Sequence, residues 1–136
     1  MKTKIVLLSL IALVTTSFVP PDKNNTSKDE VEAIVNLQLE AYNARDIDRF
    51  VATYSEDIEI YNWKWELTVK GHKQLRERYA DFFKNTPNLH CHIENRIVYG
   101  NKVVDKERVI AGERIIEAVA IYEVANGKIK KVTFLN

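Results

Sequence analysis

The chain is short of the residues that mark the better-known chemistries. It has one cysteine, Cys91, in 136 residues, so no intramolecular disulfide can form and no Cys-x-x-Cys pair is available for redox work. Net charge is almost absent: 20 Lys and Arg stand against 19 Asp and Glu, with no basic run, so the electrostatic footprint of a nucleic-acid binder is missing. Nucleic acid is not expected as a partner. No glycine-rich phosphate loop and no nucleophile elbow occurs, which leaves nucleotide and acyl-serine chemistry without support. With three histidines in all, the one arrangement that could present imidazoles and a carboxylate to a metal is His90-x-His92-x-Glu94. Ordinary polar strand residues explain it as well, and no metal or cofactor is expected.

The longest apolar run, Ile5 to Val14, is too short to span a bilayer. Lys2 and Lys4 before it and Thr15-Thr16-Ser17 after it give it the pattern of an export signal. Residues 1–17 are therefore expected to be a signal peptide, with the mature protein periplasmic or secreted and without a membrane partner. No cysteine follows the run, so a bacterial-type lipid anchor is not supported there. Residues 18–26, with Pro20, Pro21, Asn24 and Asn25, are expected as a lead-in, and residues 27–136 as one domain with one core.

Ser27-Lys28-Asp29-Glu30 is a capping-box pattern, and Val31, Ile34, Val35, Gln38 and Tyr42 then recur at helical spacing, which predicts a long first helix. Asp46 is placed to cap a short second helix with Ile47, Phe50, Val51 and Tyr54 on one stripe. Ile58, Ile60 and Asn62 alternate with Glu59, Tyr61 and Trp63 as in a strand. A third helix follows Gly71, burying Leu75, Tyr79, Phe82 and Phe83. Beyond Leu89 the period becomes two: strands are predicted at 89–99, 102–110, 114–124 and 128–135, separated by Gly100-Asn101, Gly112-Glu113 and Asn126-Gly127. Helices first and an antiparallel meander afterwards make an α+β domain.

Two-residue turns at the first two hairpins put Arg96 opposite Asp105, Glu94 opposite Glu107 and His92 opposite Val109, and then Glu107 opposite Ala118 and Asp105 opposite Ala120. In the last hairpin, a three-residue Ala125-Asn126-Gly127 loop would gather Ala118, Ala120, Tyr122, Val124, Val132 and Phe134 on one apolar face, with Glu117, Glu123, Lys131 and Thr133 on the other. A two-residue Asn-Gly turn would mix the faces. The clean alternation favours the first register and turns Asp105 and Glu107 inward.

The stretch Leu39-Glu40-Ala41-Tyr42-Asn43-Ala44-Arg45-Asp46, with Tyr54 and Asp57-Ile58-Glu59-Ile60, resembles the opening of SnoaL-like domains of the nuclear-transport-factor-2 (NTF2-like) superfamily. Gly71, the segment Arg76 to Tyr79, the segment Asn95 to Asn101 and the Tyr122 to Ile129 hairpin extend the resemblance over nearly the whole mature chain. It implies three N-terminal helices packed on a strongly bent, mostly antiparallel sheet around a conical cavity, often as a homodimer; Ile93 and Ile97 are then expected on the outer face. The family hosts isomerases, dehydratases, cyclases, hydrolases and binding modules, so the fold does not choose the chemistry. Set beside the related ketosteroid isomerases, Gln38 falls where an oxyanion-stabilising tyrosine would stand, Asn62 where an aspartate base would stand, and Ala120 at or next to a protonated aspartate. An amide cannot take a proton from carbon and alanine cannot donate to an oxyanion, so that mechanism is disfavoured. Tyr79 matches a pocket tyrosine of those enzymes.

Asp105 and Glu107 are the candidate catalytic carboxylates. With Glu94 across from Glu107, one carboxyl would resist ionisation and serve as a general acid or base near neutrality; His92 beside Glu94 is a further candidate base. A solvated strand face with an Arg96–Asp105 ion pair is the competing reading. Gln38 and Asn62 need partners that ligand or local backbone could supply. Tyr42, Tyr54, Tyr79 and Tyr122 offer a hydroxyl-edged aromatic lining, Ala120 leaves space beside it, and Trp63 stands in a connection suited to a cavity mouth. The chain is thus expected to bind a small, largely apolar molecule, with cofactor-free acid/base turnover, or alternatively to be a non-catalytic ligand-binding or dimerisation module.

Overall fold

A computed structural model describes residues 27–135; the expected signal and lead-in segments lie outside the described residues. The first helix, α1 (Lys28–Ala44), begins with the expected reciprocal cap. Ser27 Oγ accepts from the Glu30 N–H at 3.3 Å, and the Glu30 carboxylate accepts from the Ser27 N–H at 2.8 Å. It stops at Arg45, which takes a left-handed conformation with φ 54° and sends its N–H back to the helix carbonyls. Asp46 then caps α2 (Ile47–Ala52) through the Arg49 N–H at 3.0 Å.

Strand β1 (Tyr54–Tyr61) starts earlier than alternation alone suggests, so Tyr54 belongs to the sheet and not to the α2 stripe. A turn built on Asn62 reverses the chain into the short β2 (Leu67–Lys70), which the sequence had not signalled. Helix α3 (Gly71–Asn85) follows directly. Gly71 has φ 77°, and a Cβ there would stand 3.3 Å from the Glu56 carbonyl oxygen, so any other residue would meet both backbone strain and a tight contact.

The remaining chain is the meander β3 (His90–Tyr99), β4 (Lys102–Ala111), β5 (Arg114–Ala125) and β6 (Lys128–Leu135). The curved, unclosed sheet runs β2-β1-β6-β5-β4-β3, antiparallel except where β1 lies parallel to β6. Helix α1 packs on β3, and α2 and α3 pack on β1. Their apolar stripes meet the inner sheet face in one core that includes Phe50, Ile58, Ile60, Leu75, Val103 and Val132. Each such side chain contributes roughly 1.5–3 kcal/mol by leaving water. Between the helices, the rings of Phe50 and Tyr79 meet tilted at 4.7 Å and those of Tyr42 and Phe83 edge-on at 5.4 Å between centroids, and Tyr42 and Tyr79 carry this cluster to the cavity wall.

Two bulges decide which side chains face inward. On β3 the ladder slips between Ile93 and Asn95: Arg96 lies opposite Asp105 as expected, but Ile93 is opposite Glu107 and His92 opposite Arg108. The extra residue reverses the parity of the strand below it. The expected pairings of Glu94 with Glu107 and of His92 with Val109 are therefore overturned, Cys91 and Ile93 turn inward, and His90, His92 and Glu94 turn out. Of the two isoleucines expected outside, only Ile97 is exposed; Ile93 packs against the core.

The second bulge corrects the last hairpin. Asn126 and Gly127 have φ of 52° and 69° and form a two-residue turn with Ala125 opposite Lys128, not the expected three-residue loop. A slip after Val124↔Ile129, with Lys130 as the extra residue, restores the register so that Glu123 meets Lys131 and Tyr122 meets Val132. The alanine face is inward as expected, through a bulge in place of a longer loop.

Candidate functional site

Strand β4 alternates strictly and sends Val103, Asp105, Glu107, Val109 and Ala111 to the buried side. Between this face and the helices lies a cavity of about 650 Å³. Its wall is mostly apolar and aromatic, with Tyr42, Tyr79 and Phe82 from the helices and Val109, Ile116 and Phe134 from the sheet. Glu107 is the carboxylate in that wall.

Glu107 is 7% exposed, and its Oε1 accepts a hydrogen bond from the Tyr122 hydroxyl at 2.7 Å. Burial pushes its carboxyl up to about 7; the Tyr122 bond draws it down, the charge of Asp105 pushes it up, and Arg96 draws it down again. The expected repulsion from Glu94 plays no part, because Glu94 lies on the other face. A carboxyl of this kind exchanges a proton near neutrality, which is what general acid/base chemistry requires.

Asp105 differs. It is 1% exposed and outside the cavity wall, gripped by Arg96, whose Nε and Nη2 donate to its two oxygens at 2.6 Å each. Arg96 also donates to the Asn36 side chain and lies 3.7 Å from Glu32, so the group ties β3 and β4 to α1. The expectation that Asp105 faces the cavity is corrected: its oxygens are taken up by a bidentate guanidinium.

His92 and Glu94 are exposed on the outer face, and Glu94 is bound by Lys106 at 2.8 Å, which holds its carboxyl below the usual range. Ala120 is fully buried opposite Asp105 and Phe134 and does not reach the cavity; Ala118, two residues earlier, does. Gln38 is buried on α1 and lines the cavity, and its side chain draws the Tyr54 hydroxyl down against the stronger upward push of burial. Tyr42, Tyr54, Tyr79 and Tyr122 all line the cavity. Burial raises each phenol, Tyr79 to about 12, with Arg78 pulling that one the other way. These phenols stay protonated at neutral pH and can donate.

Asn62 reaches the cavity, but its amide is committed to the β1–β2 turn. Oδ1 accepts from the Lys64 and Glu66 N–H groups at 3.0 Å each, and Nδ2 donates to the Glu66 carboxylate at 2.8 Å. Trp63 follows it at the mouth, 55% exposed.

Several wall residues were not anticipated as site residues, Arg78 and Cys91 among them. Arg78 shares a face with Leu75, Tyr79 and Phe82 at i, i+3, i+4 and i+7, a spacing that could have revealed it. Cys91 carried no such signal, because the bulge turns it inward. Its backbone is clamped by Asn43, which donates to its carbonyl at 3.0 Å and accepts from its N–H at 2.7 Å, and burial pushes its thiol far up.

Solved structures share this architecture. An uncharacterised cystatin-fold protein from Novosphingobium aromaticivorans superposes with a TM-score of 0.73 at 24% identity, covering 79% of this chain and 97% of its own. A SnoaL-like protein of unknown function from Burkholderia thailandensis gives 0.68 at 15%, covering 80% and 95%. A proposed ketosteroid isomerase from Kribbella flavida gives 0.65 at 18%, covering 78% and 76%. No curated protein matches the chain. The SnoaL-like domain model matches residues 35–132, and across that span the chain is a member of the SnoaL-like domain family.

Proposed function

We propose that this domain binds a small, largely apolar molecule in its cavity and moves a proton on it with Glu107, without a cofactor, in an isomerase-, dehydratase- or cyclase-like reaction. The observation that carries the reading is Glu107 itself: a carboxyl in an aromatic wall, pushed up to about 7 by burial, with one phenol donating to it and, among the described residues, no ion-pair partner. Steroid isomerisation by the route of the related isomerases is not part of the proposal. Asn62 is used up in a turn and Ala120 lies behind the wall.

A binding module without turnover is the second reading. What favours it is that Asp105, the other inward carboxylate, is neutralised by Arg96, so Glu107 works alone. The neutral fluorophore N-phenyl-1-naphthylamine separates occupancy from chemistry. The wild type is expected to bind it, Ala118→Phe to lose it by filling the wall, and Glu107→Gln to keep it. Failure of the wild type to bind, or undiminished binding by Ala118→Phe, would count against the cavity as a ligand site. Turnover found for any bound substrate should disappear in Glu107→Gln; turnover that survives leaves Glu107 a binding residue.

We also place the mature protein outside the cytoplasm as a homodimer, on the strength of the leader pattern and of the exposed apolar side chains Ile97, Tyr99 and Ile115 on the sheet. Intact mass from the native host and sedimentation at micromolar concentration read these two points: retained Met1, or a persistent monomer, would refute them.

A further inference from the structure

The polar side chains of the cavity wall are not equally available to a ligand. Asn62 is spent on its turn, the Thr68 hydroxyl donates to the Ile60 carbonyl at 3.1 Å, and the Tyr122 hydroxyl donates to Glu107. Arg78 is in a different position. Its helix neighbour Arg76 is paired with Asp48 at 2.7 Å, whereas among the described residues Arg78 has no carboxylate within 4 Å and no hydrogen-bond partner. It nonetheless lines the cavity from the exposed side, next in sequence to Tyr79, whose phenol its charge draws down.

We infer that the ligand is an anionic amphiphile, with its apolar body along the Tyr42, Phe82, Ile116 and Phe134 wall and a carboxylate or phosphate head at Arg78. The inference rests on the cavity reading above. The polarity of the cavity fixes the orientation. Glu107 is buried and Arg78 is exposed, so an anionic head is repelled from the interior when Glu107 is ionised and attracted to the guanidinium at the rim. The planar fork of arginine matches two oxygens of a carboxylate or phosphate, which a lysine in its place would not. Reaction would then occur at the part of the body that reaches Glu107, remote from the charge that anchors it.

The test is displacement of N-phenyl-1-naphthylamine by dodecanoate, dodecyl phosphate and 1-dodecanol, each below its micellar concentration at low salt. The wild type should bind at least one anion about tenfold more tightly than the alcohol, as one charge-assisted pair provides, and which anion wins distinguishes a carboxylate from a phosphate head. Arg78→Gln should bring that anion to within about twofold of the alcohol and leave the alcohol unchanged, while Arg78→Lys should keep part of the preference. Equal binding of all three by the wild type, or equal weakening of all three in Arg78→Gln, overturns the inference and leaves the cavity reading standing. Failure of all three to displace a fluorophore that Ala118→Phe excludes does the same. Failure of the fluorophore itself to bind brings down both.

Discussion

Asp105 and Glu107 stand two residues apart on β4, point to the same side of the sheet and are almost equally hidden from water, yet they end in different states. Asp105 meets a guanidinium that satisfies both its oxygens. Glu107 meets one phenol and otherwise aromatic and aliphatic wall. Burial alone therefore does not fix the state of a carboxylate. A counter-charge turns the first into a clamp between sheet and helix, and the lack of one leaves the second with a proton to exchange.

The largest effect is expected from breaking the clamp. Arg96→Met leaves Asp105 buried without its partner and should cost about 3–5 kcal/mol in urea unfolding, the range for an ion pair deprived of one member. Replacing both, as Arg96→Met with Asp105→Leu, should recover much of the loss, since no charge is then stranded. A loss in the single variant below about 1 kcal/mol would mean that water reaches Asp105 and that the two carboxylates differ less than their geometry says.

The complementary test acts on Glu107. Its folded-state carboxyl is raised from the ordinary 4.5 to about 7, so the folded state holds a proton that the unfolded chain has already released. The stabilising effect of that proton is complete below about pH 4.5 and is lost as pH rises through about 7, a change of about 3 kcal/mol. Glu107→Gln cannot ionise. Its stability relative to the wild type should climb by that order between pH 4.5 and 8, read by urea unfolding across the range. A difference that stays flat would show that Glu107 ionises as readily as an exposed glutamate.

The sequence disclosed the members of this comparison better than their surroundings. Alternation along β4 and β5 was enough to put Asp105, Glu107, Ala118, Ala120 and Tyr122 on one face, because a two-residue period and a short turn leave no freedom of register. Neighbouring β3 was misread, since a bulge at Glu94 leaves no mark in a run of polar residues, and it carried His92 and Glu94 outside and Cys91 inside. The last hairpin shows the same limit from the other side. Asn126-Gly127 announces its two-residue turn, but the compensating bulge at Lys130 is silent. Asn62 stood at the end of an alternating run and looked like a strand residue, while its side chain in fact closes a turn two to four residues ahead. Covalent order and period reach the secondary structure; the parity changes that aim side chains depend on packing between strands distant in sequence.

The smallest predicted effect is the sharpest probe of what distinguishes Glu107, because it changes a single oxygen. Tyr122→Phe keeps a ring that is 4% exposed and removes only the hydroxyl that donates to Glu107. That bond favours the ionised carboxylate, so its loss should move the Glu107 midpoint upward from about 7. The destabilisation should then grow with pH, to about 1–2 kcal/mol at pH 8 where the carboxylate is left without a donor, and be smaller at pH 5 where Glu107 holds its proton. Carboxyl-carbon NMR of labelled glutamate reads the midpoint directly. If it stays in place, the phenol only packs, and the aromatic wall by itself sets the protonation of Glu107. If it moves up, Tyr122 is the group that draws this buried carboxyl down toward neutrality, as Arg96 holds Asp105 in an ion pair.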